Sequence, residues 1–502
     1  MGDQDVVAAD WRDERIAELE AESARKDVEL AARDARIVEL EAQVATLSAQ
    51  MAALTKQVAE LMEKLGRNSR NSHLPPSSDG PGQRGASGQS KGKPGARKRG
   101  GQPGHGGSRR TLLPADEVDD VVDLFPSHCD GCADELPEVQ DSEAHRYQQV
   151  EVPPIKPHTT EWRCHEVACP KCRHKTRAPY DLETIPASPF GPRLMALVVF
   201  LTGVYHVSRR KTVVLLWELL GVRISLGALS ALEARVSDAI APAVEDAWQR
   251  VGEGAVKHTD GTSWLQAGAT RALWTIATKA ATVFKILADN SKATLEPLYG
   301  SLRGILVSDR AKALNFWAME RRQICWAHLL RKFVSFSERA GPAAAIGREL
   351  LDYTGILFEY WHDYRDGKLP REHFIAWMAA LGPKVEAVLA RAVAARIDGV
   401  SGSCADMLEH RAALWTFVTH ADVEPTNNHA EREIRAFVLW RKRSFGTQSD
   451  RGNLFAERVM TVAHTARKQN KNVLSFLIAC CRARLGGGRR PSLFVPDVAA
   501  AA

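Results

Sequence analysis

The sequence lacks an apolar run of the roughly 18–20 residues that a helix needs to cross a bilayer. The nearest approach, LMALVVFLTGVYHV at 194–207, runs into SRRK, so a buried helix is expected there. The N-terminus is acidic and polar, without the apolar segment of a signal peptide. These absences favour a cytoplasmic protein with no membrane partner.

Acidic residues are missing from Arg84 to Arg110, where eight lysines and arginines stand. Gly, Pro and Ser dominate this stretch, so burial cannot offset the entropy of ordering it. We expect residues 67–113 to form a disordered basic arm that contacts phosphate backbones without sequence choice. A solvated linker is the alternative. The candidate contacts of the arm are Lys93, Arg97, Lys98 and Arg99.

The charge of the chain is unevenly distributed. A net charge of +6 over 502 residues hides an acidic stretch at 115–143 and a basic one at 432–490. Concentrated positive zones in a moderately charged chain indicate a polyanionic partner. The length exceeds one ordinary core, and 44% hydrophobic with 25% charged residues indicates a globular protein of several folded units.

Residues 1–66 carry a heptad pattern that predicts a coiled coil. One helix cannot bury so narrow a stripe, so we expect a homodimer or higher oligomer, or a partner's helix. Packing onto the protein's own body is the alternative. Nine successive seam positions are apolar: Ile37, Leu40, Val44, Leu47, Met51, Leu54, Val58, Leu61 and Leu65.

Two CxxC pairs, CDGC at 129–132 and CPKC at 169–172, lie in a segment spanning 114–185. Nine cysteines in a cytoplasmic chain indicate metal binding for some of them rather than disulfides. Two such pairs predict a structural zinc site, because four thiolates leave no open position for catalysis. The predicted ligands are Cys129, Cys132, Cys169 and Cys172, and the competing ones are Cys164, His165 and His128.

Residues 186–253 have a helical pattern. SRRKTVVLLWELLG ends at Gly221, and a second helix begins after Ser225, a suitable N-cap. Two helices joined by a short turn near basic residues fit a DNA-binding helix-turn-helix. They fit paired helices of a helical domain equally well.

Residues 254–320 change to a β-rich pattern. AVKHTD, RALWTIAT and TVFKILAD predict three short strands, SKATLEPLYGSL a helix and GILVSD a fourth strand. This order is that of a ribonuclease-H-like core, in which the first strand lies beside the fourth. Asp260 and Asp309 stand at the ends of those two strands, so we expect their carboxylates within metal-sharing distance.

The stretch EPTNNHAEREIR at 424–435 adds a third carboxylate. If Asn428 caps a helix here, Glu431 falls at N3, where a capping-box role explains it. The same helix can project Glu431 toward the strand ends, and the two roles are compatible. Three converging carboxylates repel one another unless divalent cations lie between them. Glu433 points about 200° away around the helix and is a poor substitute.

The motifs HTDGTSW, ILVSD, CWAHLLRKF (325–333), NNHAEREIR and LWRKRSFGTQSDRG (439–452) together resemble the IS66 family of insertion-sequence transposases. The resemblance extends through the heptads, the basic arm and the CxxC pairs to a C-terminal helical tail at 451–502. It implies a DDE transposase with the triad Asp260, Asp309 and Glu431.

The resemblance also implies an architecture. A ribonuclease-H-like α/β catalytic core spans 254–320 and 420–450, with a helical insertion at 321–419. The predicted fold class is thus multidomain α+β: coiled coil, zinc-binding module, helical DNA-binding region and catalytic core. Two departures from the family pattern bear on activity. Gly261 stands where Glu is expected, and Arg310 stands where Gly-Tyr is common.

The implied chemistry is cleavage of element ends in double-stranded DNA and their joining to a target. Two Mg²⁺ ions per site, with Mn²⁺ as a substitute, suit carboxylate ligands and in-line phosphoryl transfer. The implied setting is the bacterial cytoplasm near the nucleoid, with accessory proteins of the same element as further partners. Candidate DNA contacts around the triad are Asn428, Arg432, Arg435, Arg441, Lys442 and Arg443.

Two rival functions fit the same sequence. One is a decayed, non-enzymatic zinc and coiled-coil DNA-binding protein. The other is a ribonuclease-H-type nuclease that hydrolyses DNA but never joins it. Cys325 and His328 are spaced like metal ligands, yet a second pair is not evident, so packing or DNA-end contact is the favoured interpretation for them.

Overall fold

The computed structural model describes residues 4–65, 110–181 and 185–494. The four candidate contacts of the basic arm lie outside these residues. The chain divides into two compact units, one of residues 1–80 with 329–352 and the other of residues 81–328 with 353–502. Among the helices described, none is long and apolar enough to span a membrane.

Helix α1 spans Gln4–Leu65 and confirms the helix predicted from the heptads. Among the side chains of α1 that the structure describes, four ion pairs at helical spacing lie along the exposed surface, for example Arg33–Glu29 at 2.7 Å. The seam side chains from Ile37 to Val58 are exposed in the single chain, so they are not packed on the protein's own body. The coiled coil requires a second helix and stays a prediction.

Residues 110–181 contain two short antiparallel strands, β1 (Glu166–Ala168) and β2 (Lys175–Arg177). They flank the second CxxC pair. Every residue of this segment is exposed or half-buried. Hydrophobic burial therefore contributes little to holding the segment together.

Three helices follow: α2 (Pro192–Val199), α3 (Arg209–Leu220) and α4 (Leu226–Glu253). The predicted helix termini are confirmed. Gly221 ends α3 with a left-handed φ of 65°, which costs a glycine little, and the Ser225 hydroxyl accepts the N–H of Ala228 at 3.1 Å. The helix-turn-helix function stays a prediction.

A five-stranded mixed sheet forms the centre of the second unit, in the order β5-β4-β3-β6-β7. Its first three strands are antiparallel, and β3 pairs in parallel with β6, as β6 does with β7. The elements are β3 (Val256–Gln266), β4 (Ala269–Ala277), β5 (Thr282–Leu287), α5 (Lys292–Tyr299), β6 (Ile305–Ser308) and β7 (Arg322–Ile324).

The predicted β-β-β-α-β order, with the first strand beside the fourth, is confirmed. Two details were wrong. Asp260 lies within β3 rather than at its end, because the β3–β4 hairpin continues beyond the point where β6 stops. Residues 322–324, assigned to the helical insertion, form the fifth strand of the sheet.

The rest of the predicted insertion is helical. It contains α6 (Trp326–Ser337), α7 (Pro342–Arg365), α8 (Arg371–Ala394), α9 (Ser401–Glu409), α10 (Arg411–Leu414) and α11 (Thr416–Thr419). Within the first unit, α7 approaches the end of α6 so closely that a Cβ on Gly347 would collide with the backbone of Ser337.

Three C-terminal helices complete the core: α12 (Asn428–Ser444), α13 (Asp450–Lys468) and α14 (Val473–Gly486). Their buried faces pack with α2, α4 and one face of the sheet. Helix α13 also satisfies the outer edge of β5. The backbone N–H groups of Thr282, Phe284 and Ile286 donate to side chains of α13 one turn apart, which are Thr465, Thr461 and Glu457.

Candidate active site

The first two predicted carboxylates follow matching positions of adjacent parallel strands. His258 of β3 is opposite Val307 of β6, and the same register extended by two residues pairs Asp260 with Asp309, the residue that follows β6. Adjacent strands lie about 4.8 Å apart. The sheet therefore places the backbones of the two aspartates side by side.

The two carboxylates also influence one buried hydroxyl. Tyr299 is buried, and its hydroxyl is hydrogen-bonded to the Thr259 hydroxyl at 2.5 Å. Burial raises the pKa of Tyr299, and the charges of Asp260 and Asp309 raise it further. Each carboxylate accepts a local N–H at 3.0 Å, from Gly261 for Asp260 and from Ala311 for Asp309.

The departure at position 261 has a packing explanation. Gly261 is opposite Trp274 of β4, and a Cβ at position 261 would come within 2.8 Å of the indole. The indole is buried and donates to Asn290 Oδ1 at 2.9 Å. A glutamate cannot occupy position 261 unless Trp274 moves.

Arginines hold the loop that carries Asp309. The buried Arg322 donates to the backbone oxygens of Asp309 (2.9 Å) and Ala311 (3.1 Å). Arg310, the second departure from the family pattern, pairs with Asp406 of α9 at 3.0 Å and donates to the Ser403 backbone. It thereby joins this loop to the helical insertion.

Asn427 fixes the start of α12 against β3. Its Nδ2 donates to the backbone oxygen of Thr259 at 2.7 Å, and its Oδ1 lies 3.3 Å from His258 Nδ1. The prediction that Asn428 caps the helix was wrong, because Asn427 is the N-cap residue and makes no side-chain cap bond. Glu431 is then at N4, one position past the capping box.

Glu431 lies beside Cys325 and His328, the CxxH pair of the sequence. One ligand atom from each of the three lies within 4.8 Å of the other two, and His328 Nδ1 is 3.5 Å from Glu431 Oε1. Burial raises the pKa of Cys325 to about 12, with a further contribution from Glu431.

Cys325 connects this group to the sheet. Its N–H donates to the Ser308 oxygen at 2.9 Å, and its sulfur accepts the N–H of Asn427 at 3.1 Å. Because Ser308 is opposite Ile324, the next step along the strands places Asp309 beside Cys325. By this register, Asp260, Asp309 and Cys325 lie in one row across β3 and the ends of β6 and β7, and Glu431 is close to Cys325.

Glu433 has other partners, in line with its predicted direction. Its carboxylate lies 2.5 Å from His464 Nδ1 and 3.1 Å from Lys468 Nζ, both on α13. Burial opposes the charge, but these partners prevail and lower the pKa of Glu433 to about 2.

The candidate DNA contacts on α12 divide into two sets. Arg441 turns inward, donating to the Ser263 backbone and to the Thr262 hydroxyl. The other five are exposed: Asn428, Arg432, Arg435, Lys442 and Arg443.

The two predicted zinc-binding pairs adopt the same turn. In each, the fifth residue counted from the first cysteine has a φ of 61° (Ala133 and Arg173) and donates its N–H to the oxygen of that cysteine. Hydrogen bonds from the turn lower the pKa of Cys129 and of Cys169, which favours thiolate. In the described residues, the groups of three or more ligand atoms within 4.8 Å include none of the four cysteines.

Those groups likewise omit Asp260 and Asp309, whose oxygens bind local N–H groups. The sequence did not reveal that Cys325 and His328 lie against Glu431, or that Asn427 binds Thr259. Two sequence motifs could have indicated these contacts, because both lie next to elements of the core. They are CWAH at 325–328 and the paired asparagines at 427–428.

Comparison with known protein families gives matches over two parts of the chain. A model described as "Transposase IS66 family" matches residues 187–454, more than half of the chain, and a model of a family of unknown function (DUF6444) matches residues 28–111. No curated protein matches the chain. The resemblance seen in the sequence is confirmed, and the chain belongs to the IS66 family of transposases.

Proposed function

We propose that the protein cleaves the ends of its DNA element and joins them to target DNA, with Asp260, Asp309 and Glu431 as a DDE triad. One observation carries the proposal. Asp260 and Asp309 follow matching positions of adjacent parallel strands, and Asn427 ties the helix bearing Glu431 to the residue before Asp260.

The donor set of the triad fits Mg²⁺ or Mn²⁺, which prefer oxygen ligands. When bound, such ions would activate a water or a 3′-hydroxyl and stabilise the leaving oxygen. The chain's own part is positional. The sheet fixes Asp260 and Asp309, Arg322 fixes the loop after β6, and the start of α12 presents Glu431 next to His328.

The rival interpretation of a decayed core gains some weight from the departures at Gly261 and Arg310. Both residues have structural roles, since Gly261 makes room for Trp274 and Arg310 binds Asp406. Neither residue removes a carboxylate. The proposal therefore extends to an active copy.

The test uses DNA fragments taken from both flanks of the coding region. With Mg²⁺ or Mn²⁺ the protein should nick a fragment that contains an element end. Asp260→Asn, Asp309→Asn and Glu431→Gln should each reduce cleavage by about 10³-fold or more, the order expected when a metal-assisted step is lost. Circular dichroism and binding in Ca²⁺ should remain unchanged.

Glu424→Gln is the matched control, because Glu424 is an exposed acid seven residues before Glu431, and it should cleave normally. Loss of cleavage in Glu433→Gln with normal cleavage in Glu431→Gln would refute the assignment of the third carboxylate. Binding without cleavage by the unaltered protein would favour the decayed binder. Pre-cut ends with free 3′-hydroxyls that are never joined would favour the nuclease.

The remaining features have supporting roles in the same proposal. Cys129, Cys132, Cys169 and Cys172 bind structural zinc, and α1 pairs with a second copy through its exposed seam. The basic arm binds duplex backbones through its lysines and arginines. Two copies joined in this way would hold two DNA ends together.

A further inference from the structure

One face of α12 stays exposed along its whole length. Its residues recur at steps of four and three, which is the spacing of a single helix face. Three of the five are cations and none is acidic, so the face attracts a phosphate backbone. The face, here called the α12 stripe, consists of Asn428, Arg432, Arg435, Leu439 and Lys442.

The α12 stripe joins two distinct points. It passes Glu431 in the first turns of α12 and ends at Lys442, three residues before Phe445, the C-cap residue that lies fourteen residues after Glu431. Fourteen residues of helix rise about 21 Å. A nucleic-acid strand covers that distance in about six nucleotides.

Phe445 is an unusual helix end. The residue is 74% exposed, the highest value for an aromatic residue between 185 and 494. Its φ of 56° lies in the left-handed region, which bulky residues rarely adopt. Within the described chain, Phe445 takes part in none of the ring-stacking or cation–π contacts.

The backbone around Phe445 is anchored on both sides. Its N–H donates to Arg441 O at 3.0 Å, and the N–H of Thr447 donates to Leu265 O of β3 at 2.9 Å. Gly446, with a φ of 86°, lies so close to the Leu265 carbonyl that no side chain would fit. The ring is thus held outward on a fixed turn, where it contributes little to the core.

An exposed ring on a rigid cationic surface is suited to base stacking, which tolerates any sequence because every base has a π-face. We infer that Phe445 stacks on an unpaired nucleobase of the DNA whose backbone follows the α12 stripe. The inference rests on the proposed function, since that function requires DNA at Glu431. The ligand class is duplex DNA with a frayed or single-stranded end.

The experiment measures binding without divalent cations, so that cleavage plays no part. The probes are a 30-base-pair duplex and the same duplex with a six-nucleotide single-stranded tail. Phe445→Ala should weaken binding of the tailed probe by about 5- to 100-fold and leave the blunt duplex unaffected. Phe445→Trp should retain the preference for the tail.

Two control variants distinguish base stacking by Phe445 from two other causes of DNA affinity, which are positive charge and exposed aromatic rings in general. Arg435→Gln should weaken both probes equally and reduce the salt dependence by about one ion. Trp377→Ala removes a half-exposed ring of α8 that stacks on Tyr360, and both affinities should stay unchanged. With 5-iododeoxyuridine in the tail, ultraviolet crosslinking should map to the peptide containing Phe445.

The inference would be overturned if the crosslinks were confined to other peptides. It would also be overturned if the unaltered protein and Phe445→Ala bound each probe with the same affinity. A change of oligomeric state in Phe445→Ala would assign the ring to a contact between copies instead. Failure of the proposed function is distinguishable, because it appears in the cleavage of the triad variants. A normal Phe445→Ala protein beside inactive triad variants would remove this inference alone.

Discussion

All of the buried residues in the described chain lie between Ile185 and Leu493, whereas residues 110–181 contain none. The first region buries aromatic and aliphatic side chains from helices and sheet in continuous clusters. The second region has two three-residue strands and two cysteine turns. Apolar burial therefore supplies little of the free energy that folds this region, and the predicted metal–thiolate bonds of the two cysteine turns would supply the rest.

The largest expected effect is on the exposed region. Removing zinc with a chelator should abolish amide-exchange protection in residues 110–181, since structural zinc contributes about 10–16 kcal/mol in small zinc-binding peptides. Protection in 185–494 should be unchanged. Hydrogen-exchange mass spectrometry measures both regions in one experiment.

Cys129→Ser should reproduce the chelator's effect, whereas Cys164→Ser, outside both pairs, should not. Protection of 110–181 that persists with no bound metal by elemental analysis would contradict the prediction. Loss of the metal in Cys164→Ser would instead indicate that Cys164 is one of the metal ligands.

The next effect is the pH dependence of the buried region. His206 stacks on Trp440 at 4.4 Å, and burial lowers its pKa to about 4. The folded state then binds fewer protons than the unfolded state, whose histidine has a pKa near 6.5. The contribution of neutral His206 to the free energy of unfolding is therefore complete above about pH 6.5. It declines by on the order of 2–3 kcal/mol as the pH falls toward 4.

His206→Asn tests this contribution, because asparagine does not titrate and tolerates the φ of 57° at that position. Urea unfolding between pH 7 and 4 should show a shallower loss of stability in the variant. Parallel curves for the two proteins would contradict the assigned pKa.

A smaller effect is expected in the sheet. Gly261→Ala should cost about 2 kcal/mol of unfolding free energy, because the new methyl group meets the Trp274 indole. Gly355→Ala is the matched control in an exposed position of α7 with open space around it, and it should stabilise by about 1 kcal/mol. If thermal unfolding gave the same change in stability for both variants, the Trp274 indole would move aside without cost.

The smallest effect concerns a single hydrogen bond. Thr461→Val should cost about 1–2 kcal/mol, because the N–H of Phe284 loses its acceptor. Thr202 is also buried, but its hydroxyl has no hydrogen-bond partner among the residues that the structure describes, so Thr202→Val should be neutral or stabilising. Chemical unfolding measures the stability of both variants. A larger loss of stability in Thr202→Val than in Thr461→Val would contradict the prediction.

The sequence was sufficient where local pattern determines structure. Apolar strand runs predicted β3 to β6 in order, and Gly221 and Ser225 predicted their helix ends. The three residues of β7 were too short to show any alternation. The prediction that Asp260 ends its strand is wrong because the continuation of β3, GTSW, is polar in part and lacks an apolar run.

The surroundings of the candidate site depended on contacts distant in sequence. Nothing near Asn427 indicates that its side chain binds Thr259, 168 residues earlier, in place of capping its own helix. Glu457, Thr461 and Thr465 are spaced to accept alternate amides of β5, but this is evident only when α13 is seen packed alongside the strand. Such pairings arise from tertiary packing, which outweighs local preference.

The bonds from α13 to β5 have a consequence for assembly. A strand whose outward amides were free would be a template for β-augmentation by another polypeptide. Here three alternate amides of that strand are already engaged by α13. A second copy of the chain therefore cannot extend the sheet by pairing with these amides of β5 unless α13 first releases them.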